Sequence, residues 1–123
     1  MMDKKVALII DDEPDIIRHV GSILNASGFE VISSESGREG LKMATERRPD
    51  LILLDIFLPD IDGGEVANKL SQDQETSQIP IIYLTGLVTK EEKKEPQRVG
   101  KHFLIAKPVL KQELLSTISK VLA

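Results

Sequence analysis

Short apolar stretches alternate along the chain with segments of helical period. Five such stretches, rich in Ile, Leu and Val, cover residues 6–10, 30–33, 51–54, 79–84 and 103–106. Apolar runs of this length are typical of strands that are buried on both faces of a parallel sheet. The second run is the most polar, so we expect its strand at an edge of the sheet.

Helices are predicted between these strands, and the first and last helices are the clearest. The first has an apolar stripe formed by Ile16, Ile17, Val20, Ile23 and Leu24. Pro14 lies near its first turn and Gly28 just beyond its end, where these residue types commonly begin and end a helix. The last helix has an equivalent stripe, formed by Leu114, Leu115, Ile118, Val121 and Leu122.

The remaining helical patterns are weaker. Residues 37–47 and 64–71 are expected to form helices, whereas residues 89–99 are mostly charged and contain Pro96, which fits poorly inside a helix. We expect a short or frayed helix there. Strand and helix thus alternate five times, which predicts one α/β domain over residues 1–123, with a parallel sheet and helices on both of its faces.

The composition mainly excludes certain kinds of site and partner. The chain has no cysteine, which excludes disulfides, thiolate catalysis and cysteine-based metal sites. The net charge is −4 and the basic residues are spread along the chain, so we expect no direct contact with nucleic acid. No apolar run is long enough for a membrane span or a signal peptide, and we expect a cytoplasmic protein with no membrane partner.

Polar residues stand where four of the predicted strands end. They are Asp11 and Asp12 after the first strand, Asp55 after the third, Thr85 and Gly86 after the fourth, and Lys107 after the fifth. Because ligands of an open parallel sheet bind at the carboxyl ends of its strands, we expect these groups to form one cluster. Each also has a purely structural explanation, as a helix cap, a turn residue or a solvated lysine. Their coincidence at four strand ends favours a functional site.

The chemistry of such a cluster follows from its charges. Three carboxylates close together repel, so some of their pKa values should rise unless a cation binds. Oxygen ligands without His or Cys suit Mg²⁺, which binds one or two carboxylates together with phosphate oxygens. A carboxylate can also act as a nucleophile and form an aspartyl phosphate. The Thr85 hydroxyl, the Gly86 amide and the Lys107 ammonium could then hold the phosphoryl oxygens.

Four segments match the motifs of a known family. They are IIDDE at 9–13, LLDIFLPDIDG at 53–63, LTG at 84–86 and AKPV at 106–109. In this order and spacing they resemble the receiver domain of response regulators in bacterial two-component signalling, of which the chemotaxis regulators are an example. The resemblance covers essentially the whole chain. It implies a flavodoxin-like, doubly wound sheet with five parallel strands in the order 2-1-3-4-5.

The resemblance also implies roles for the acidic residues. Asp55 would be the phosphoacceptor that attacks a phosphohistidine on a sensor histidine kinase or a phosphotransfer protein. Asp12, Asp55 and the backbone carbonyl of Phe57 would bind Mg²⁺ directly, and Asp11 would act mainly through water. Such a protein is a signalling phosphoacceptor rather than an enzyme, although it assists its own phosphorylation and dephosphorylation.

The resemblance further implies how the phosphoryl group would be held and read. Thr85 would reorient toward it, the Gly86 amide would contact it, and Lys107 would pair with it. The Lys107–Pro108 peptide would be cis. The conformational change would then be read by a downstream protein partner or an attached effector domain.

This chain departs from the family pattern at two places, and each departure leads to a prediction. The family usually has Tyr or Phe three residues before the lysine, but this chain has Leu104 there and Phe103 beside it, so the usual aromatic switch is in doubt. The side chains expected to fringe the site, Phe57 and Leu87, are apolar and cannot position an attacking water. We therefore hypothesise that the phosphorylated protein loses its phosphoryl group slowly.

Three other interpretations compete with this one. A haloacid-dehalogenase-like phosphatase would need a second Asp two residues after the nucleophile, where this chain has Phe57. A nucleotide-binding or flavodoxin-like module would need a glycine-rich loop after the first strand, where three acidic residues stand instead. A degenerate receiver that only binds other proteins is disfavoured because the five side chains of the cluster are all present, namely Asp11, Asp12, Asp55, Thr85 and Lys107. His19 and His102 are expected at surface or boundary positions.

Overall fold

The computed structural model describes residues 4–86 and 97–122. Its elements in chain order are β1 (Val6–Ile10), α1 (Pro14–Ala26), β2 (Glu30–Ser34), α2 (Gly37–Arg47), β3 (Leu51–Asp55), α3 (Gly63–Gln72), β4 (Ile81–Thr85), β5 (Gln97–Val99), β6 (His102–Ala106) and α4 (Lys111–Val121). The five predicted strands and the helices predicted at 37–47 and 64–71 are confirmed to within two residues at each end. No described helix is long and apolar enough to cross a membrane.

The strands form one sheet in the order β2-β1-β3-β4-β6-β5. All neighbouring pairs are parallel except β5 with β6. Since β6 is the fifth parallel strand, the parallel part of the sheet has the predicted order 2-1-3-4-5. The polar strand β2 lies at an edge, as expected.

The short strand β5 corrects the sequence-based prediction. Residues 97–99, expected to end a frayed helix, instead pair antiparallel with β6, with Val99 opposite His102. A two-residue loop joins the strands, and its first residue, Gly100, has φ 60°, which suits the twist of a tight hairpin. The rest of that predicted helix, residues 89–96, lies outside the described residues.

Side chains of alternate residues in the strands supply two separate cores. In β1, Ala7 and Ile9 pack in a core with residues of α1 and α4, whereas Leu8 and Ile10 pack with residues of α2 and α3. All five residues of β3 and of β4 are buried. Helices therefore cover both faces of the sheet, and the carboxyl ends of its central strands are left for a binding site.

The chain turns sharply from β1 into α1. Pro14 is at the first helical position, where its fixed φ suits a helix start, and Asp15 adds a favourable negative charge to the first turn. Only Asp11, Asp12 and Glu13 separate the strand from the helix. These three carboxylates are thus confined to the junction.

Candidate functional site

The register of the sheet brings the predicted site residues together. Ile10 pairs with Leu54, so the residues that follow them, Asp11 and Asp55, leave adjacent strands side by side. On the other side of β3, Thr85 pairs with Ala106, which directly precedes Lys107. The backbone amide of Lys107 donates to the Thr85 carbonyl at 2.7 Å, which extends the pairing of β4 and β6 into the site.

Four carboxyl groups form the acidic part of the site. Asp11, Asp12, Glu13 and Asp55 each offer an oxygen, and these oxygens all lie within 4.8 Å of one another. Asp11 is fully buried and Asp55 is 4% exposed, whereas Asp12 and Glu13 are exposed. The set has a buried inner half and a solvent-facing outer half. A small, hard cation could therefore enter from solvent and find only oxygen ligands.

Lys107 is the cation that neutralises part of this charge. Its Nζ lies 2.9 Å from Oδ2 of Asp11, 2.7 Å from Oε1 of Glu13 and 3.4 Å from Oδ2 of Asp55. The lysine side chain is only 12% exposed. One ammonium thus faces several carboxyl groups, and its shortest contact is with Glu13 rather than with Asp55.

Backbone amides orient the two buried carboxylates. Oδ1 of Asp11 accepts a hydrogen bond from the Glu13 amide at 2.9 Å, and Oδ1 of Asp55 accepts one from the Phe57 amide at 3.1 Å. Oδ2 of Asp11 is buried and has only the ion pair with Lys107, without a hydrogen bond of favourable geometry. An incompletely satisfied buried carboxylate oxygen fits a site that accepts a further cation.

The pKa values of both buried carboxyl groups are raised. Burial is the main cause for Asp11 and for Asp55, because desolvation disfavours the charged form. The charge of Asp11 adds to the rise in the pKa of Asp55, while the amide of Phe57 and the charge of Lys107 oppose it. The predicted direction was right, but burial contributes more than the expected mutual repulsion.

The pKa of Lys107 is raised. Burial alone would lower it, but the close contacts with Glu13 and Asp11 and the charges of Asp11 and Asp55 outweigh that effect. The lysine is therefore fully charged at neutral pH. The Lys107–Pro108 peptide is cis, as the family resemblance implied.

The other predicted site residues lie around this centre. Thr85 is 2% exposed at the end of β4, and Gly86 follows it at the surface. Phe57 is 55% exposed and, with Asp12 and residues 58–62, lines a shallow depression beside the site. Leu87 lies outside the described residues, and Phe57 is an apolar group at the rim of this depression.

Two polar residues near the site were not singled out by the sequence. Glu13 forms the shortest ion pair of Lys107, although the motif indicated it only as the neighbour of two aspartates. Asp60, in the loop after β3, accepts hydrogen bonds from the backbone amides of Gly37 at 2.9 Å and Arg38 at 3.0 Å. It thereby joins the loop that follows the predicted phosphoacceptor to the start of α2, a contact that no local pattern signals.

The two histidines lie at surface or boundary positions, and each has a contact. Nε2 of His19, an exposed residue of α1, lies 2.7 Å from the carbonyl oxygen of Val109. The ring of His102 is half-buried and meets that of Tyr83 edge to face, with centroids 5.6 Å apart. Both histidines therefore have structural contacts, and neither belongs to the carboxylate cluster.

Comparisons with known proteins agree with this geometry. The family described as the response regulator receiver domain matches residues 7–119. Protein PilH of Pseudomonas aeruginosa is 35% identical over 94% of this chain and 96% of its own length. The polar-differentiation response regulator DivK of Brucella ovis is 36% identical over 98% of each chain.

The fold comparison gives the same result. The crystal structure of the chemotaxis protein CheY4 of Vibrio cholerae superposes with a TM-score of 0.83 at 30% identity, covering 97% of this chain and 99% of that one. This chain belongs to the family of response regulator receiver domains.

Proposed function

We propose that Asp55 is the phosphoacceptor of this receiver domain and that it takes a phosphoryl group from a phosphohistidine. One observation carries the proposal: the Asp55 carboxylate is 4% exposed, lies 3.4 Å from the Lys107 ammonium and shares a cluster within 4.8 Å with three further carboxyl groups. A merely structural aspartate after a buried strand would need neither the lysine nor the acidic neighbours.

The transfer is a nucleophilic displacement at phosphorus. One oxygen of the Asp55 carboxylate forms the new P–O bond, and the P–N bond to the imidazole of the donor breaks. The imidazole nitrogen keeps the electron pair and takes up a proton. Lys107, held beside Asp55 by its ion pairs, stabilises the charge on the phosphoryl oxygens, and Thr85 and the Gly86 amide contact them from the end of β4.

The residues present fit Mg²⁺. Asp12, Asp55 and the carbonyl of Phe57 would hold the ion, with Asp11 behind them, and all of these donors are oxygens. The bound ion would offset the repulsion between the carboxylates and the incoming phosphoryl group.

The partners follow from this chemistry. The donor would be a sensor histidine kinase or a phosphotransfer protein, and the receiver of the signal a downstream protein or an effector domain. We place this exchange in the cytoplasm and assign residues 1–123 to one domain. The domain would promote its own phosphorylation and dephosphorylation without turning over a separate substrate.

The decisive experiment is intact mass after incubation with Mg²⁺ and a small acyl phosphate. We expect one added phosphoryl group on the wild type and none on Asp55→Asn or without Mg²⁺. Asp15→Asn, which removes an exposed carboxylate from α1, is the matched control and should be phosphorylated like the wild type. Modification of Asp55→Asn would refute the assignment, and turnover on a phosphate ester would favour the phosphatase instead.

The same experiment tests the degenerate receiver. Absence of modification of folded wild type by the acyl phosphate and by a phosphorylated histidine kinase would favour a domain that acts by protein binding alone. The intact cluster argues against this second function.

A further inference from the structure

Lys107 has two classes of partner that differ in exposure. Asp11 and Asp55 approach its ammonium from the interior, with side chains 0% and 6% exposed. Glu13 approaches from the solvent side, with a side chain 57% exposed, and makes the shortest contact at 2.7 Å. Glu13 is thus the outer member of the lysine's carboxylate shell, on the side from which a phosphoryl donor must arrive.

We propose that Glu13 is a positioning residue that holds Lys107 before phosphorylation and must release it when Asp55 is modified. The inference rests on the proposed function of Asp55 and extends it to Glu13, which enters that proposal only as one carboxyl group of the cluster. A phosphoryl group on Asp55 and the carboxylate of Glu13 compete for the same ammonium. Since Lys107 is 3.4 Å from Asp55 but 2.7 Å from Glu13, its contact with Glu13 has to weaken as the new anion forms.

Glu13 has a second effect, which acts in the opposite direction. Its carboxylate is one of four around the site and adds negative charge that attracts a divalent cation. Removing this charge should weaken Mg²⁺ binding, whereas freeing Lys107 should speed the transfer once Mg²⁺ is saturating. The two effects can be separated, because one depends on charge and the other on the reach of the side chain.

Three variants distinguish the effect of the Glu13 charge from the effect of its side-chain length. Glu13→Gln removes the charge and the ion pair. Glu13→Asp keeps the charge but is one methylene shorter, so it loses the close contact with Lys107. Asp15→Asn removes a charge two residues away, from a side chain whose ion pair is with Arg18 rather than Lys107.

The first measurement needs no phosphoryl transfer. In metal-free protein labelled with ¹⁵N-lysine, the ammonium protons of Lys107 should exchange slowly with water because the group is nearly buried and ion-paired. We expect faster exchange in Glu13→Gln and Glu13→Asp, and no change in Asp15→Asn. Unchanged exchange in both Glu13 variants would overturn the proposal.

The second measurement is the rate of phosphorylation by an acyl phosphate as a function of Mg²⁺ concentration. At saturating Mg²⁺, the rate constant should rise about 3- to 10-fold in both Glu13 variants, which corresponds to about 0.7–1.4 kcal/mol. The Kd for Mg²⁺, measured by calorimetry, should increase in Glu13→Gln and stay near the wild-type value in Glu13→Asp.

The outcomes are distinct for the two proposals. If the wild type is phosphorylated but both Glu13 variants keep its maximal rate, the role of Glu13 fails and the function of Asp55 stands. A wild type that accepts no phosphoryl group from the acyl phosphate or from a phosphorylated histidine kinase would refute the proposed function, and the exchange experiment would still decide whether Glu13 holds Lys107.

Discussion

Tyr83 of β4 and Leu104 of β6 are direct partners across the sheet, in the core that α2 and α3 cover. Leu104 occupies the position where the family usually has an aromatic residue. Here the aromatic ring stands on the neighbouring strand instead: Tyr83 is 5% exposed and packs edge to face with His102. It also lies two residues before Thr85 and therefore on the same face of the sheet.

This placement predicts that Tyr83 senses phosphorylation. If Thr85 shifts to contact a phosphoryl group, the ring two residues away changes its surroundings. Tyr83 is the only Tyr and the chain has no Trp, so its intrinsic fluorescence is a specific probe. We expect a change in its emission with Mg²⁺ and an acyl phosphate, and none in Asp55→Asn. Unchanged emission from protein that intact mass shows to be phosphorylated would contradict this.

Asp55→Asn should raise stability in the absence of Mg²⁺. The pKa of Asp55 is raised in the folded protein, mainly by burial, so the folded state favours the protonated carboxyl group. Asp55 therefore stabilises the folded protein when the pH is below its pKa in the unfolded chain. This stabilisation is lost as the pH rises through its pKa in the folded protein. At neutral pH the buried charge is a cost, and Asn removes it. Thermal unfolding should give a Tm higher by about 4 °C if the gain is about 1 kcal/mol.

Mg²⁺ should reduce the difference in Tm between Asp55→Asn and the wild type. It should raise the Tm of the wild type, because the ion binds only the folded site, and raise that of Asp55→Asn less. If Asp55→Asn has the same Tm as the wild type without Mg²⁺, or if Mg²⁺ raises the Tm of both proteins equally, the buried charge of Asp55 does not destabilise the metal-free fold.

Asp60 predicts a pH dependence of the opposite sign. Hydrogen bonds from the amides of Arg38 and Gly37 hold its pKa below the ordinary value of 3.8. The ionised Asp60 therefore stabilises the folded protein at pH values above its pKa in the unfolded chain. This stabilisation is lost as the pH falls through its pKa in the folded protein. Asp60→Asn should lower the Tm at neutral pH, and the gap to the wild type should shrink in acid. Asp15→Asn is the control, for which we expect no such convergence.

Gly63 should tolerate no side chain. A Cβ there would lie 2.4 Å from the carbonyl oxygen of Asp55 and 2.7 Å from Cα of Ile56. Because these are backbone atoms, the chain itself must move, and we expect Gly63→Ala to cost about 1–3 kcal/mol or more. Chemical denaturation should show this loss, and intact mass should show slower phosphorylation because the Asp55 backbone is displaced.

Gly21 is the matched control for that substitution. A Cβ at this position in α1 would meet only side-chain atoms of Val31 and Ile9, at 3.6 and 3.8 Å. Gly21→Ala should be neutral or stabilising by up to about 1 kcal/mol, since Ala favours a helix interior. A larger loss in Gly21→Ala than in Gly63→Ala would contradict the packing described here.

Phe57 predicts a long-lived phosphorylated state. Its exposed ring lies two residues after Asp55 and offers no group to orient a water molecule. Phe57→Asn supplies such a group, and we expect loss of the phosphoryl group to quicken by about 100-fold, the lower end of the range of general acid–base assistance. Intact mass after removal of the donor measures the decay. Phe57→Leu should decay like the wild type, and equal rates in all three proteins would refute the hypothesis.

The central cluster could be predicted because topology alone brings it together. Asp11, Asp55, Thr85 and Lys107 each lie at or just after the end of a buried strand, and the parallel order of those strands leaves their ends at one edge. No detail of side-chain packing was needed for that inference.

Other features depend on contacts that a local pattern does not contain. The ion pair of Glu13 with Lys107 joins residues 94 positions apart, and the bonds of Asp60 to the start of α2 cross between loops. The strand β5 was missed because three residues are too few to show a period, although Gly100 was a signal for a tight turn.

The antiparallel strand β5 also bears on how copies of this protein can meet. It covers the backbone of β6, so a second molecule cannot extend the sheet there without first displacing it. The outer edge that β5 itself offers is three residues long, too short to be a good template for strand addition. At the opposite edge, β2 carries Glu30 and two serines. Association through continuous β-structure is thus disfavoured at the β5 edge of the sheet, where contacts between copies would instead have to be made by helices and loops.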